Sequence, residues 1–195
     1  MHLKYVKKYL CLILYYGIAR HMPISRKKRM FGGKLRFFLC KRIFKKCGHH
    51  VNIEKGARFG NGFNVEIGDY SGIGVNASIP SDIKIGNYVM MGPNVTILHN
   101  NHCFESLDVP MYCQGFSPSR QTTIEDDVWI GTHVIMTPGR YISKGSIIAA
   151  GCVLTKDFHA YSVIGGNPGK LIKSRKEENV LSTETRKNKR LNVTK

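Results

Sequence analysis

Aliphatic side chains recur every six residues through the middle of this 195-residue chain. Ile67, Ile73, Ile79, Ile85, Met91 and Ile97 form one series, and Ile124, Ile130, Met136, Ile142, Ile148 and Leu154 form another. A shorter series, Ile53, Phe59 and Val65, precedes them. An α-helix repeats its faces about every 3.6 residues and a strand about every two, so neither alone generates this interval. A second small or apolar residue follows four positions later, at Ser71, Ala77, Val89, Val95, Val128, Val134, Ser146 and Cys152. Both positions can point inward in a narrow coil whose flat sides are short strands, with each turn stacked on the last. Glycine directly after the aliphatic residue, at Gly60, Gly68, Gly74, Gly86, Gly92 and Gly131, marks where one strand bends into the next. The expected architecture is an all-β solenoid, because an antiparallel sandwich has no need of such strict steps. Arg140 stands where the inward pattern expects something small or apolar.

The register breaks for 26 residues, Leu98 to Thr123, a segment that contains His99, His102, Asp108, Pro110, Gln114, Gly115 and Pro118. A loop that long inside a compact repeat is usually functional. The ends differ from the middle in charge. Residues 1–50 hold fourteen Lys or Arg and no acid, residues 51–172 hold eight bases against ten acids, and residues 173–195 hold eight against three. The net charge of +17 therefore belongs to the termini. Nucleic-acid binding is not expected, since the repeat lacks aromatic interleaving and any recognised module. The chain divides into a basic helical segment, 1–50, a coil, 51–172, and a basic polar tail, 173–195.

Leu3, Val6, Leu10, Ile13, Leu14 and Gly17 follow a helical stripe among Lys4, Lys7 and Lys8, and Leu35, Phe38, Leu39 and Ile43 suggest a second helix before Gly48. Two readings stand side by side: a cap over the open end of the coil, or a peripheral contact with an acidic membrane face. The apolar run Tyr9–Tyr16 is too short to span a bilayer, and no cleavage site follows it. The six cysteines form no C-x-x-C pair, which fits a reducing cytoplasm and structural roles. The histidine spacings offer no ligand pair backed by carboxylates, so no metal site is expected.

The segments NNHCF, IEDDVWIGTHVIMTPG, IIAAGCVLTKD and VIGGNPGKLI resemble the hexapeptide-repeat acetyltransferases of the maltose and galactoside type and their polysaccharide relatives. The resemblance covers roughly residues 51–173, and the basic helices are closest in character to capsule or exopolysaccharide O-acetyltransferases. It implies a left-handed parallel β-helix, a homotrimer with sites between subunits, and direct acetyl transfer from acetyl-CoA to a sugar hydroxyl. An alcohol needs its proton removed as it attacks a thioester, and a neutral imidazole does this near pH 7 because histidine ordinarily titrates near pH 6.5. The resemblance places His102 in that role, with His99 as its nearest competitor. It also implies that Trp129, Thr132 and Ala150 border the pantetheine arm, that Thr155 and Lys156 follow one coil further on, and that Lys170 and Lys173 face phosphate. Lysine stands at these last two positions where many relatives carry arginine, which keeps the charge without the bidentate fork. Asn76, Asp82 and Asp108 are candidates for holding a carbohydrate acceptor, although the local pattern does not align cleanly. Alternatives are acetylation of a small acceptor such as an antibiotic, serine or free sugar, and a catalytically silent scaffold. The expected location is cytoplasmic.

Overall fold

The computed structural model describes residues 2–25 and 31–176. The basic run Arg26–Arg29 and most of the basic tail fall outside the described residues.

The six-residue period becomes a three-sided coil. One face stacks Lys46–Cys47, Glu66–Ile67, Lys84–Ile85, Thr123–Ile124 and Tyr141–Ile142 as parallel two-residue strands. The second stacks Met90–Met91, Trp129–Ile130, Ile147–Ile148 and Ser162–Gly165, with Asn52–Ile53 paired to Gly72–Ile73 below. The third stacks Thr96–Ile97, Ile135–Met136 and Val153–Leu154, continued downward by single bridges through Ser78 to Arg58. The inward member of each strand sits on its counterpart in the next coil, so Ile67, Ile85, Ile124 and Ile142 form one ladder and Met91, Ile130, Ile148 and Ile164 another. Ile67, Ile73, Ile130, Met136 and Ile148 are at most 1% exposed. A two-residue strand makes too few hydrogen bonds to hold its place alone. Burying each such side chain contributes roughly 1.5–3 kcal/mol, so the ladders hold the coil together.

Of the glycines after the aliphatic positions, Gly60 turns a corner as expected, with φ of 56°, while others serve a different purpose. A Cβ on Gly74 would lie 2.0 Å from the carbonyl oxygen of Gly92, and one on Gly131 would lie 2.5 Å from the Ala150 nitrogen. These positions need the absence of a side chain because the next coil's backbone passes so close. The left-handed backbone that turns most corners falls later in the repeat, at Tyr70, Asn76, Tyr88, Asn94, Asp127 and His133 among others, with φ between 54° and 57°. Asparagine and aspartate tolerate that region best among residues with a side chain.

Arg140 leaves the inward pattern to tie two coils together. Its Nη1 donates to the carbonyl of Thr155 at 2.9 Å and lies 3.4 Å from Asp157.

Helices α1 (His2–Gly17) and α2 (Phe31–Ile43) close the first coil. The Tyr15 hydroxyl donates to the Ala57 carbonyl at 3.1 Å, the Tyr16 hydroxyl to Gly60 at 2.9 Å, and Arg20 Nε to Gly56 at 3.2 Å. Arg36 is fully buried. It donates to the carbonyls of Ile53, Ala19, Met22 and Pro23 and to Ser25 Oγ, with Glu54 at 3.8 Å. The carbonyls of Ile53, Gly56, Ala57 and Gly60 at the coil's open end have no further coil to pair with, and side chains of the N-terminal segment take that place. Of the two readings of the basic helices, the cap is therefore realised. The stripe read from the sequence is not the packing face, however. Tyr15 is buried, with Cys11, Leu12 and Tyr16 packed beside it, while Val6, Leu10, Ile13 and Leu14 of that stripe face solvent.

Candidate active site

The long loop leaves the coil after Ile97 and returns at Thr123. Near its start it folds back on itself: Cys103 N–H donates to Gly115 O at 3.1 Å and Ser117 N–H to Asn101 O at 2.9 Å. His102 and Phe116 face each other across this pair of backbones. Gln114 ties the loop tip together, donating from Nε2 to the carbonyls of Ser106 and Val109 and accepting from Ser106 N–H. At the return, Gln121 Nε2 donates to the carbonyl of Asp82. The imidazole of His102 is exposed and packs on the Phe116 ring, its nitrogens open to an incoming group. Nothing in the sequence marked Phe116, because it lies outside the repeat.

His99 lies elsewhere. Its Nδ1 is 3.7 Å from Asp82 Oδ1, beyond hydrogen-bonding reach, and that oxygen is buried without a hydrogen-bond partner. Asp82 thus neighbours His99 at the base of the loop. Asn76 turns a corner and donates from Nδ2 to Asn94 Oδ1 at 3.3 Å, and Asn94 Nδ2 in turn lies 3.2 Å from His133 Nε2. Asp108 is exposed near the tip of the loop. The three acceptor candidates therefore occupy three different places.

The residues expected along the cofactor arm lie on neighbouring coils. Trp129 points outward from the second face, half exposed, between Met90 and Ile147 in register. At the next corner Thr132 Oγ1 donates to Pro93 O at 3.0 Å, and the Thr132 carbonyl accepts from Gly151 N–H at 2.9 Å. Ala150 stands one coil above, against Gly131. Thr155 and Lys156 are exposed on the same coil as Ala150, one corner further round. Lys156 Nζ lies 5.5 Å over the Phe158 ring. Lys170 and Lys173 are carried on Lys170–Ser174, which turns back antiparallel along Ser162–Gly165 with a bulge between Val163 and Ile164. Both are exposed.

The thiols of Cys152 and, in the first coil, the partly buried Cys47 are poor nucleophiles. Burial pushes Cys152 up from its ordinary value and Cys47 up to about 11. No group of His, Cys, Asp and Glu suited to a metal ion occurs among the described residues.

The six-repeat bacterial transferase hexapeptide family matches residues 64–99. The chain is 36% identical over 134 residues to the galactoside O-acetyltransferase of Lactococcus lactis, covering 67% of this chain and 63% of that one. It is 30% identical to a Dictyostelium discoideum protein provisionally named an acetyltransferase, covering 69% of this chain and 70% of that one. This chain belongs to the hexapeptide-repeat acetyltransferase family. A solved galactoside acetyltransferase in complex with coenzyme A superposes with a TM-score of 0.72 at 29% identity, covering 88% of this chain and 82% of that one. The solenoid is accordingly the left-handed parallel β-helix of this family. The acetyltransferase match spans 60–66% of the length of the first curated relatives.

Proposed function

We propose that this hexapeptide-repeat protein transfers an acetyl group from acetyl-CoA to a hydroxyl of a carbohydrate, with His102 as general base. The observation that carries this reading is the exposed imidazole of His102, held on the Phe116 ring by the folded-back long loop. The relatives named galactoside O-acetyltransferase support the carbohydrate hydroxyl as acceptor, and the solved complex with coenzyme A supports the donor.

In this reading the pantetheine arm lies along the Trp129–Thr132–Ala150 corner, passes Thr155 and Lys156, and meets Lys170 and Lys173 at its phosphates. His102 takes the hydroxyl proton as the oxygen attacks the thioester carbonyl, then returns a proton to the departing thiolate. Transfer is direct, without a covalent enzyme intermediate. The acceptor is a surface or capsular polysaccharide or its precursor, handled in the cytoplasm, and Asn76, Asp82 and Asp108 are its candidate contacts. We further propose a homotrimer. The half-exposed Trp129 and the loop side chains Phe104, Leu107, Met111 and Tyr112, 63–98% exposed, are apolar surface that a neighbouring subunit would cover.

The test is release of free CoA thiol from acetyl-CoA with a panel of acceptors that includes polysaccharides, free sugars, serine and chloramphenicol. Turnover with carbohydrates, lost by about 10²- to 10⁴-fold in His102→Ala, is the expected result. Turnover confined to a small non-carbohydrate acceptor would overturn the acceptor class. Full activity in His102→Ala would overturn the mechanism, and His99→Ala is the control.

A further inference from the structure

Helix α1 has apolar side chains on both of its sides. Inward, Tyr15 is buried and Cys11, Leu12 and Tyr16 pack against the core. Outward, Val6, Leu10, Ile13 and Leu14 are 48–68% exposed. Val6, Leu10 and Ile13 fall at intervals of four and three, so they form one continuous stripe. A helix that only caps a soluble coil needs a single apolar face, with polar residues opposite. The second face of α1 has no part in the cap.

The neighbouring helix supplies charge. α2 packs on α1 and turns Phe31, Lys34, Phe38, Lys41 and Arg42 to solvent. The Arg42 guanidinium lies 3.5 Å from the Phe38 ring centroid, so cation and aromatic share one patch. Across residues 2–25 and 31–50 there are ten Lys or Arg and no Asp or Glu. Such an unbalanced charge disfavours a second copy of the same surface. It suits a partner that is anionic and apolar together.

We propose that α1 and α2 dock this protein on an anionic lipid bilayer, with the Val6–Leu10–Ile13 stripe at the acyl boundary and the exposed lysines and arginines among the headgroups. α1 is 16 residues long, short of the roughly 20 needed to span. No helix among the described residues is long and apolar enough to cross a membrane. The helices therefore lie in the interface. The docked end is the first coil, and the loop that carries His102 leaves the third. With coils about 4.8 Å apart and helices about 10 Å thick, His102 then stands on the order of 20 Å from the bilayer. A glycan attached to a lipid would reach that distance.

Flotation of the full chain with vesicles tests this. Binding is expected to vesicles that contain phosphatidylglycerol, weak binding to phosphatidylcholine alone, and release by salt. The double variant Leu10→Asp with Ile13→Asp should bind at least tenfold more weakly while keeping its circular dichroism spectrum and Tm. Lys34→Gln, Lys41→Gln and Arg42→Gln should each weaken binding by about fivefold. Acetyl transfer to a soluble acceptor should be unchanged in all of them, which separates docking from the proposed chemistry. Equal binding to both vesicle types, or undiminished binding by the Asp variant, would overturn the proposal. So would a fall in the sedimentation-equilibrium mass of the Asp variant, because the stripe would then be covered by another copy.

Discussion

The ring of Phe116 supports the imidazole of His102, with centroids 4.3 Å apart and planes inclined by 32°. Their backbones also pair, so the ring is fixed relative to the histidine by the fold of the loop. Phe116→Ala should leave the imidazole present but loosely aimed. Since small misplacements cost up to about 10² in rate, kcat is expected to fall roughly 10- to 100-fold with KM for acetyl-CoA little changed. Phe116→Tyr should restore most of the rate. Steady-state kinetics on the three proteins checks this.

Arg36 joins α2 to the first coil through the carbonyl of Ile53 and to the segment after α1 through the carbonyls of Ala19, Met22 and Pro23 and through Ser25. Removing it leaves those carbonyls without their donor and takes the cation from beside Glu54, whose carboxylate still accepts from Ser25 N–H and Asn52 Nδ2. Arg36→Ala is expected to cost about 3–5 kcal/mol, read from the midpoint of urea unfolding. The exposed Lys45–Glu66 pair, at 2.8 Å, should by contrast be worth less than about 1 kcal/mol.

Thiol reactivity should follow burial. Cys40 is fully buried and burial holds its thiol well above the ordinary value, while Cys47 is pushed up to about 11. At pH 8 both stay protonated and unreactive, since only the thiolate attacks. Cys113 is exposed. Iodoacetamide followed by mass spectrometry should find Cys113 modified first, and Cys40 and Cys152 only after unfolding.

Lys170 and Lys173 extend from the strand that closes the second face. If they hold the cofactor phosphates, Lys170→Gln and Lys173→Gln should each raise KM for acetyl-CoA roughly tenfold, with kcat nearly unchanged and a weaker dependence on salt. Replacement by arginine should preserve or lower KM. Titration of CoA into each variant by calorimetry measures the same change without turnover.

The coil was readable because its rule is local. The six-residue spacing of Ile67 through Ile97 names the inward residues, and every one of the strand pairs built on it is in the expected phase. The register break likewise pointed to the loop of His102. What spacing misread was the reason for glycines such as Gly74, which is required by the carbonyl of Gly92 in the next coil, a contact visible only once the coils are stacked. Arg140 looked like an error in the pattern until Thr155 and Asp157 stood above it.

The helices show the limit most clearly. Their periodicity was legible, yet a stripe has no direction until something packs on one side. Tyr15, buried against Phe59, decided that the inner face is aromatic and that Val6, Leu10 and Ile13 look outward. By itself the sequence determined the repeat, the strands and the position of the long loop, because these depend on intervals along the chain. Only the tertiary structure decided which residues meet across it, His102 with Phe116, Arg36 with Ile53 and Asp82 with His99, because such contacts join segments whose separation no local pattern encodes.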